Sequence, residues 1–389
     1  MEKCFSGKKI AIIGASYLQA PLILKAKEMG IETHVFAWKT SDVGESLADH
    51  FYAISIIEKD QILEKCKELK IDGICSIASD LAMITVNYVA QKMGLTSNSL
   101  ACTEVSTNKH LMRKRFEECN DPSPRSVLVE NAIDAKKYDI KYPAIVKPLD
   151  RSGSRGITKI YSSEELEAAI EAAKEEGFDK HALVEEFAEG NEYSVEYISW
   201  KGKHWFLALT QKYTTGAPHF IETGHMQPAN VSDALLEKVK AVVEHALTSL
   251  EIEYGASHTE IKIDANENIR LIEIGGRMGG DFIGSNLVEL STGYDFVKAV
   301  IMVALGKMPL YPETGVKHAA GVCYVLKRED EHAISMLTGD SKINVIEKQI
   351  DMNFNHEVVD SSTRFGYALL ECNKAANLEN FFQERNCNI

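Results

Sequence analysis

The chain has 389 residues, 45% of them apolar, and 57 acidic against 43 basic side chains give it a formal net charge of −14. That length fits about two to three domains with real cores, and the acidic balance argues against a nucleic-acid surface. No run of about 18 or more apolar residues marks a membrane helix, and eight scattered cysteines without a CxxC suggest neither a zinc site nor a disulfide framework.

The opening "MEKCFSGKKIAIIGAS" passes at once into an apolar run and shows no signal-peptide cleavage pattern, so a reduced, cytoplasmic enzyme is expected. "KIAIIG" reads as a buried parallel strand and "YLQAPLILKAKEMG" as the helix behind it. "ETHVFAW", "DQILEKCKELK" and "IDGICSIAS" continue the alternation, which implies a doubly wound parallel sheet. The first turn, Gly14-Ala15-Ser16-Tyr17-Leu18-Gln19, lacks the GxGxxG fingerprint, so a Rossmann-like scaffold without a dinucleotide is preferred. Near Thr103 the pattern changes. "STNKHLMRKRFEEC" reads as a helix with Ser106 or Thr107 as N-cap. "PSPRSVLV" is a loop and strand. "SSEELEAAIEAAKEEG" is a helix with capping-box spacing from Ser162 to Glu165 and an end at Gly177. "HALVEEFAEGNEYSVEYISWKGKHWFLAL" alternates in period two, as antiparallel strands do, and "SDALLEKVKAVVEHALTSL" is a further helix. The remainder is a smaller α+β segment, and no internal repeat or low-complexity tract is visible.

Three stretches carry chemistry. In "HTEIKIDANENIRLIEI" two alternating strands flank a short loop. If Asp264 pairs with Ile269, then Lys262 faces Leu271 and Glu260 faces Glu273, with the two carboxylates about 4.5–5.5 Å apart. Like charges so placed call for a cation, and magnesium favours oxygen ligands. A register one residue off would instead leave either glutamate solvated. In "YPAIVKPLDRSGSRGITKI" a strand delivers Lys147 to a glycine-containing loop, which suits a polyphosphate. It is not a P-loop, and a basic surface hairpin would look the same locally. In "LVEEFAEGNEYSVEY" a connection after Glu185 and Glu186 offers its backbone to an adenine edge, while Glu192 can accept from ribose hydroxyls.

In this order, Lys109, Lys147 with its loop, "VEEFAEGNE" and Glu260…Glu273-x-x-x-Arg277 resemble the ATP-grasp superfamily over roughly residues 8–305. The resemblance implies an α/β and α+β fold: a Rossmann-like domain over 1–102, a two-subdomain ATP-grasp fold over 103–305 (divided as 103–184 and 185–305), and a C-terminal α+β domain over 306–389. It implies ATP and Mg2+, with Mn2+ as a substitute. Lys109, Lys147, Ser152, Gly153 and Ser154 would meet the phosphates, Glu185, Glu186 and Ala188 the adenine, and Glu192 the ribose. Glu260 and Glu273 would hold the metal. Arg277 and Lys147 would be catalytic, with Arg277 stabilising charge on an acyl phosphate. Where many members carry Asn two residues after the second glutamate, this chain has Gly275, which bears on a second metal.

"QKYTTGAPHFIETGHMQPA" and "GGRMGGDFIGSNLVELSTGYD" are similar to the branch containing L-amino-acid ligases. That likeness implies an amino-acid pocket of Glu222, His225, Arg277, Gly280 and Asp281, with Asp80 as a further candidate and an ammonium as a fitting group for Asp281. The implied activity is carboxylate–amine ligation. Activation of bicarbonate or formate, as in carbamoyl-phosphate-synthase-like or purine-pathway members, is the alternative, and a non-catalytic ATP-binding module is a third. Substrates would be small molecules, with no nucleic acid or membrane partner; a homodimer follows from analogy alone.

Overall fold

Short β-branched runs build the first layer of the computed structural model, which describes residues 5–149, 156–216, 220–311, 315, 317–337 and 342–386. Strands β1 (Lys9–Ile13), β2 (Glu32–Phe36), β3 (His50–Tyr52) and β4 (Gly73–Cys75) form a parallel sheet in the order β3-β2-β1-β4. The edge strand β3 was not legible in the sequence. After β1 the turn is filled by its own side chain. Gln19 Oε1 accepts from Ser16 Oγ at 2.8 Å, and its Nε2 donates to the Ile77 carbonyl at 2.8 Å.

The expected N-cap at Ser106 or Thr107 is corrected. Both belong to the helix Leu100–Thr107, where their hydroxyls donate back to the Thr103 carbonyl. The next helix, Lys109–Glu118, starts from Asn108, whose Oδ1 accepts from the His110 and Leu111 amides. The Ser162–Glu165 spacing yields a 3-10 turn before the helix Leu166–Glu176, and Glu165 Oε1 accepts from the Tyr161 amide rather than closing a full capping box.

A second sheet, in the order β5-β8-β6-β7, contains β5 (Ser126–Val129), β6 (Ala144–Pro148), β7 (Thr158–Ile160) and β8 (Ala182–Glu186). Because β8 carries Glu185 and Glu186, a boundary at 184/185 falls inside a strand. The third sheet has eight strands: β9 (Asn191–Trp200), β10 (Lys203–Thr214), β11 (Glu222–Gln227), β12 (Tyr254–Ile263), β13 (Ile269–Gly275), β14 (Ala319–Val325), β15 (Asn344–Ile350) and β16 (Gly366–Cys372). Their order is β13-β12-β9-β10-β11-β14-β16-β15. The C-terminal residues therefore extend the central sheet through β11 and β14, with Gly224 opposite Cys323, instead of forming a sheet of their own. Arg385 pins the last helix there, donating to Asp330 Oδ1 at 2.8 Å and to the Thr223 carbonyl at 2.6 Å.

The N-terminal sheet and the large sheet share one core, in which Ile10, Ile12 and Ile23 join Ile198, Phe296 and Ile301. This packing fixes the leading domain against the central sheet, and with it the residues it presents to the site. Two of the three sheets meet at the β8–β9 connection. There Gly190 adopts φ +109°, and a Cβ at that position would fall 2.1 Å from the Ile263 carbonyl oxygen.

Gly190→Ala is expected to cost about 3 kcal/mol, since both the backbone and the contact oppose it. Gly202→Ala, at φ +70° with nothing within 4 Å, should cost only about 1 kcal/mol. Urea denaturation of the two variants compares them, and equal losses would contradict the close approach.

Candidate active site

The β12–β13 hairpin decides where its carboxylates point. Near the turn the pairing is Ile263 with Ile269, Lys262 with Arg270 and Ile261 with Leu271, one residue off the expected register. Asp264 does not pair with Ile269; its Oδ1 accepts from the Asn266 and Asn268 amides and closes the loop. A β-bulge then inserts Ile272, and beyond it Glu260 stands opposite Glu273. Without the bulge Glu260 would face Ile272, and Glu273 would turn to the other side of the sheet. The expected opposition exists, but the bulge produces it.

Both glutamates line a cavity of about 230 Å³ between the second sheet and the large sheet. Each is met by a lysine: Lys212 Nζ lies 2.7 Å from Glu260 Oε1 and Lys109 Nζ 3.1 Å from Glu273 Oε1. His258 adds a second cation. Its Nδ1 pairs closely with the buried Glu196, and its Nε2 lies 3.6 Å from Glu260 Oε1. Burial alone would depress the imidazole, but Glu196 outweighs it and raises His258 to about 9. Burial likewise opposes ionisation of Glu260, yet Lys212 and His258 hold its carboxyl well below the usual range. An all-oxygen, anionic pair of this kind fits a hard divalent cation such as magnesium.

Lys147, at the end of β6, points into the same cavity, where its Nζ lies 2.6 Å from Glu185 Oε2. Arg113 donates to the other side of that carboxylate, through Nε at 2.9 Å to Oε1 and NH2 at 3.3 Å to Oε2. Burial would raise the Glu185 carboxyl; Arg113 and Lys147 together bring it down to about 2. The Glu185 side chain is thus spent on positioning Lys147. Glu186 and Ala188 line the cavity beside Phe187, and Glu192 pairs with Lys262 at 3.1 Å. Ile145 and Pro148 from β6 and Ile272 from the hairpin add apolar lining to the cavity. Ser152, Gly153 and Ser154 lie outside the described residues.

At the far end Arg277 and Asp80 form a two-point pair, Nε to Oδ1 at 2.9 Å and NH2 to Oδ2 at 2.9 Å. Asp80 opens the helix Asp80–Met93 of the leading domain, whose N-cap is Ser79. Gly275 lies beneath this pair, and a Cβ there would fall 2.7 Å from Asp80 Oδ1 and 3.1 Å from Arg277 Nε. A side chain at 275 would have to displace the pair, which accounts locally for the missing Asn. Gly280 sits against the same domain, its added Cβ 3.3 Å from that of Ala78.

Glu222 lines the cavity, while His225 lies buried behind it on β11. The His225 ring meets Tyr324 edge-on at 5.6 Å, and burial, then Lys212, push the imidazole down to about 3. Asp281 does not offer an open charge to an ammonium. Arg364 spans both acids, with NH1 2.8 Å from Asp281 Oδ2 and NH2 2.9 Å from Glu222 Oε2.

Sequence reasoning had not singled out Arg113, Glu196, Lys212, His258, Lys262 or Arg364. For His258 a signal existed, since it stands two residues before Glu260 on the same strand face. Arg364, from the distal C-terminal segment, had none.

Residues 140–285 match the family described as ATP-grasp domain. The chain is 27% identical over 302 residues to alanine–anticapsin ligase of Bacillus subtilis, covering 68% of this chain and 64% of that protein. It is 24% identical over 338 residues to carnosine synthase 1 of Mus musculus, covering 79% of this chain and 40% of that protein. The matches thus span less than two thirds of either relative's length. Among solved structures, L-amino acid ligase from Bacillus licheniformis superposes with TM-score 0.82 at 20% identity, covering 97% of each chain. Phosphoribosylglycinamide synthetase from Anaerococcus prevotii superposes with TM-score 0.76 at 22% identity, covering 96% of each chain. These superpositions show a shared fold over nearly the whole chain.

Arg113→Met is expected to destabilise the protein by about 3 kcal/mol at neutral pH, because it leaves a buried carboxylate with one partner fewer. The folded Glu185 carboxyl lies below its ordinary 4.5, at about 2. Its stabilisation is therefore complete above the ordinary value and lost as pH falls toward the folded one. Urea titrations across that window should show a steeper fall in the wild type than in Arg113→Met, and parallel curves would refute the assignment. For His225, imidazole NMR should find a neutral ring at pH 5; a titration in the ordinary histidine range would contradict the buried placement.

Proposed function

We propose that this chain, which carries an ATP-grasp domain over residues 140–285, is an ATP-dependent carboxylate–amine ligase with at least one amino-acid substrate. The observation that carries this reading is the opposition of Glu260 and Glu273 in a cavity that also receives Lys109, Lys147 and Lys212. The likeness to alanine–anticapsin ligase and carnosine synthase supports an amino-acid substrate over bicarbonate or formate.

In this reading Lys109 and Lys147 bind the phosphates of ATP, and Glu192 orients the ribose. A substrate carboxylate oxygen attacks the γ-phosphorus, the bond to ADP breaks, and an acyl phosphate forms. The amine nitrogen then attacks the acyl carbon and loses a proton as inorganic phosphate leaves. Magnesium held by Glu260 and Glu273 would neutralise charge on the phosphates. Arg277, kept in place by Asp80, stabilises the oxyanion of the second step. Gly275 supplies no ligand of its own, so the metal site of this chain rests on the two glutamates.

Arg364 shapes the amine or acid pocket by offsetting Glu222 and Asp281. A cationic substrate group must compete there with a guanidinium already in place, which favours substrates whose side chains are uncharged at that end.

Phosphate release should depend on magnesium and on added amino acids, with bicarbonate and formate giving none. Release with bicarbonate alone would move the chain to the alternative branch, and silence under every condition would favour a binding module. Arg277→Ala should lower turnover by about 100-fold or more while leaving ATP binding within about threefold. Unchanged turnover would remove Arg277 from the chemistry.

A further inference from the structure

A separate polar cluster lies at the edge of the N-terminal sheet, and none of its residues lines the large cavity. Strands β2 and β3 run parallel with His34 opposite His50, and Glu32 precedes His34 by two residues on the same face. His34 Nε2 lies 3.0 Å from Glu32 Oε1, and His50 Nε2 lies 3.2 Å from the same oxygen. One donor atom from each of the three residues falls within 4.8 Å of the others.

His34 supplies the second observation. It is 1% exposed, and among the described residues its Nε2 has no aligned hydrogen-bond partner, despite the nearness of Glu32. Its Nδ1 lies 3.1 Å from the Tyr52 hydroxyl. When Nδ1 carries the proton and donates to Tyr52, Nε2 keeps a buried lone pair beside the Glu32 carboxylate but not in line with it. A ligating histidine that donates its other ring N–H to a fixed acceptor is the usual arrangement at a metal.

We propose that Glu32, His34 and His50 form a site for a divalent transition-metal cation of the zinc class, distinct from the magnesium pair. Bonds of about 2.0–2.1 Å in a tetrahedron place ligand atoms about 3.3 Å apart, and the contacts of 3.0 and 3.2 Å need little expansion to reach that. Imidazole nitrogens select zinc, copper or nickel over magnesium. The His34 and His50 rings are stacked at 4.8 Å with 14° between their planes. His50, half exposed, must therefore turn off the stack to direct its lone pair inward. Lys9 is the competing cation, 3.9 Å from Glu32 Oε1 and itself exposed enough to leave for solvent. Lys65 packs over the outer ring of Tyr52 at 5.3 Å. The fourth metal position faces solvent, and the cation would tie the short edge strand β3 to β2.

The test is zinc titration of the full chain against a chromophoric chelator, with magnesium in excess to occupy the acidic pair. Wild type should bind one equivalent, and zinc should raise its Tm. His50→Ala, at an exposed position, and Glu32→Gln, at a half-buried one, should each weaken binding by at least about tenfold and abolish the Tm shift. Should one variant fail to fold, the other carries the same comparison. Cobalt as a substitute should give tetrahedral d–d bands without a sulfur-to-metal charge-transfer band. Affinity unchanged in a folded variant, absence of binding to wild type, or a thiolate band would each overturn the proposal.

Discussion

Two carboxylates held face to face across a bulged hairpin set the terms for the rest of the site. At about 5 Å and an effective dielectric of about 20, their repulsion is on the order of 3 kcal/mol. Glu260 meets that demand with Lys212 and His258, and Glu273 with Lys109. A divalent cation between the glutamates would relieve the same repulsion, leaving the lysine ammonium groups for phosphate oxygens. The acidic pair and the lysines therefore work as one balanced set.

The balance depends on a sheet face that is polar and yet buried. Along β9 the residues Glu192, Ser194 and Glu196 alternate with Tyr193, Val195 and Tyr197, and along β12 His258, Glu260 and Lys262 share one face. Glu196 pairs with His258 and Glu192 with Lys262 across the two strands. On an ordinary half-exposed sheet such a row would face water. Here Glu196 has no exposure at all. A polar row that is covered must neutralise itself, and this one does so through its cross-strand ion pairs. The alternation was legible in the sequence as strands. Its burial was not, because the loop after β13 that covers Glu196, with the Gly279 amide donating to its Oε2, is a tertiary partner.

Legibility elsewhere followed the range of the interaction. Lys147 at a strand end and the opposed glutamates could be read within a short window. The register beside the Asp264 turn could not, since Asp264 uses its side chain to cap the loop and the bulge at Ile272 restores the phase later. Asn108 took the cap expected from Ser106 or Thr107 because those hydroxyls were already bonded to their own helix. The pairing of β11 with β14 and the reach of Arg364 to Glu222 join segments far apart in the chain. No local pattern announces either.

The leading domain enters the site through Asp80, and this coupling accounts for a departure that sequence comparison alone leaves unexplained. Asp80 holds Arg277 through two parallel hydrogen bonds, and the leading domain's own core, where Ala82, Val86 and Val89 join Ile62 and Ile74, keeps the helix that carries it in place. The space this pair occupies is the space a side chain at 275 would need. A ligand residue at 275 and a clamped Arg277 are therefore competing solutions. With glycine there, the fold keeps a guanidinium fixed from the neighbouring domain, so the geometry of the arginine depends on how the two domains pack.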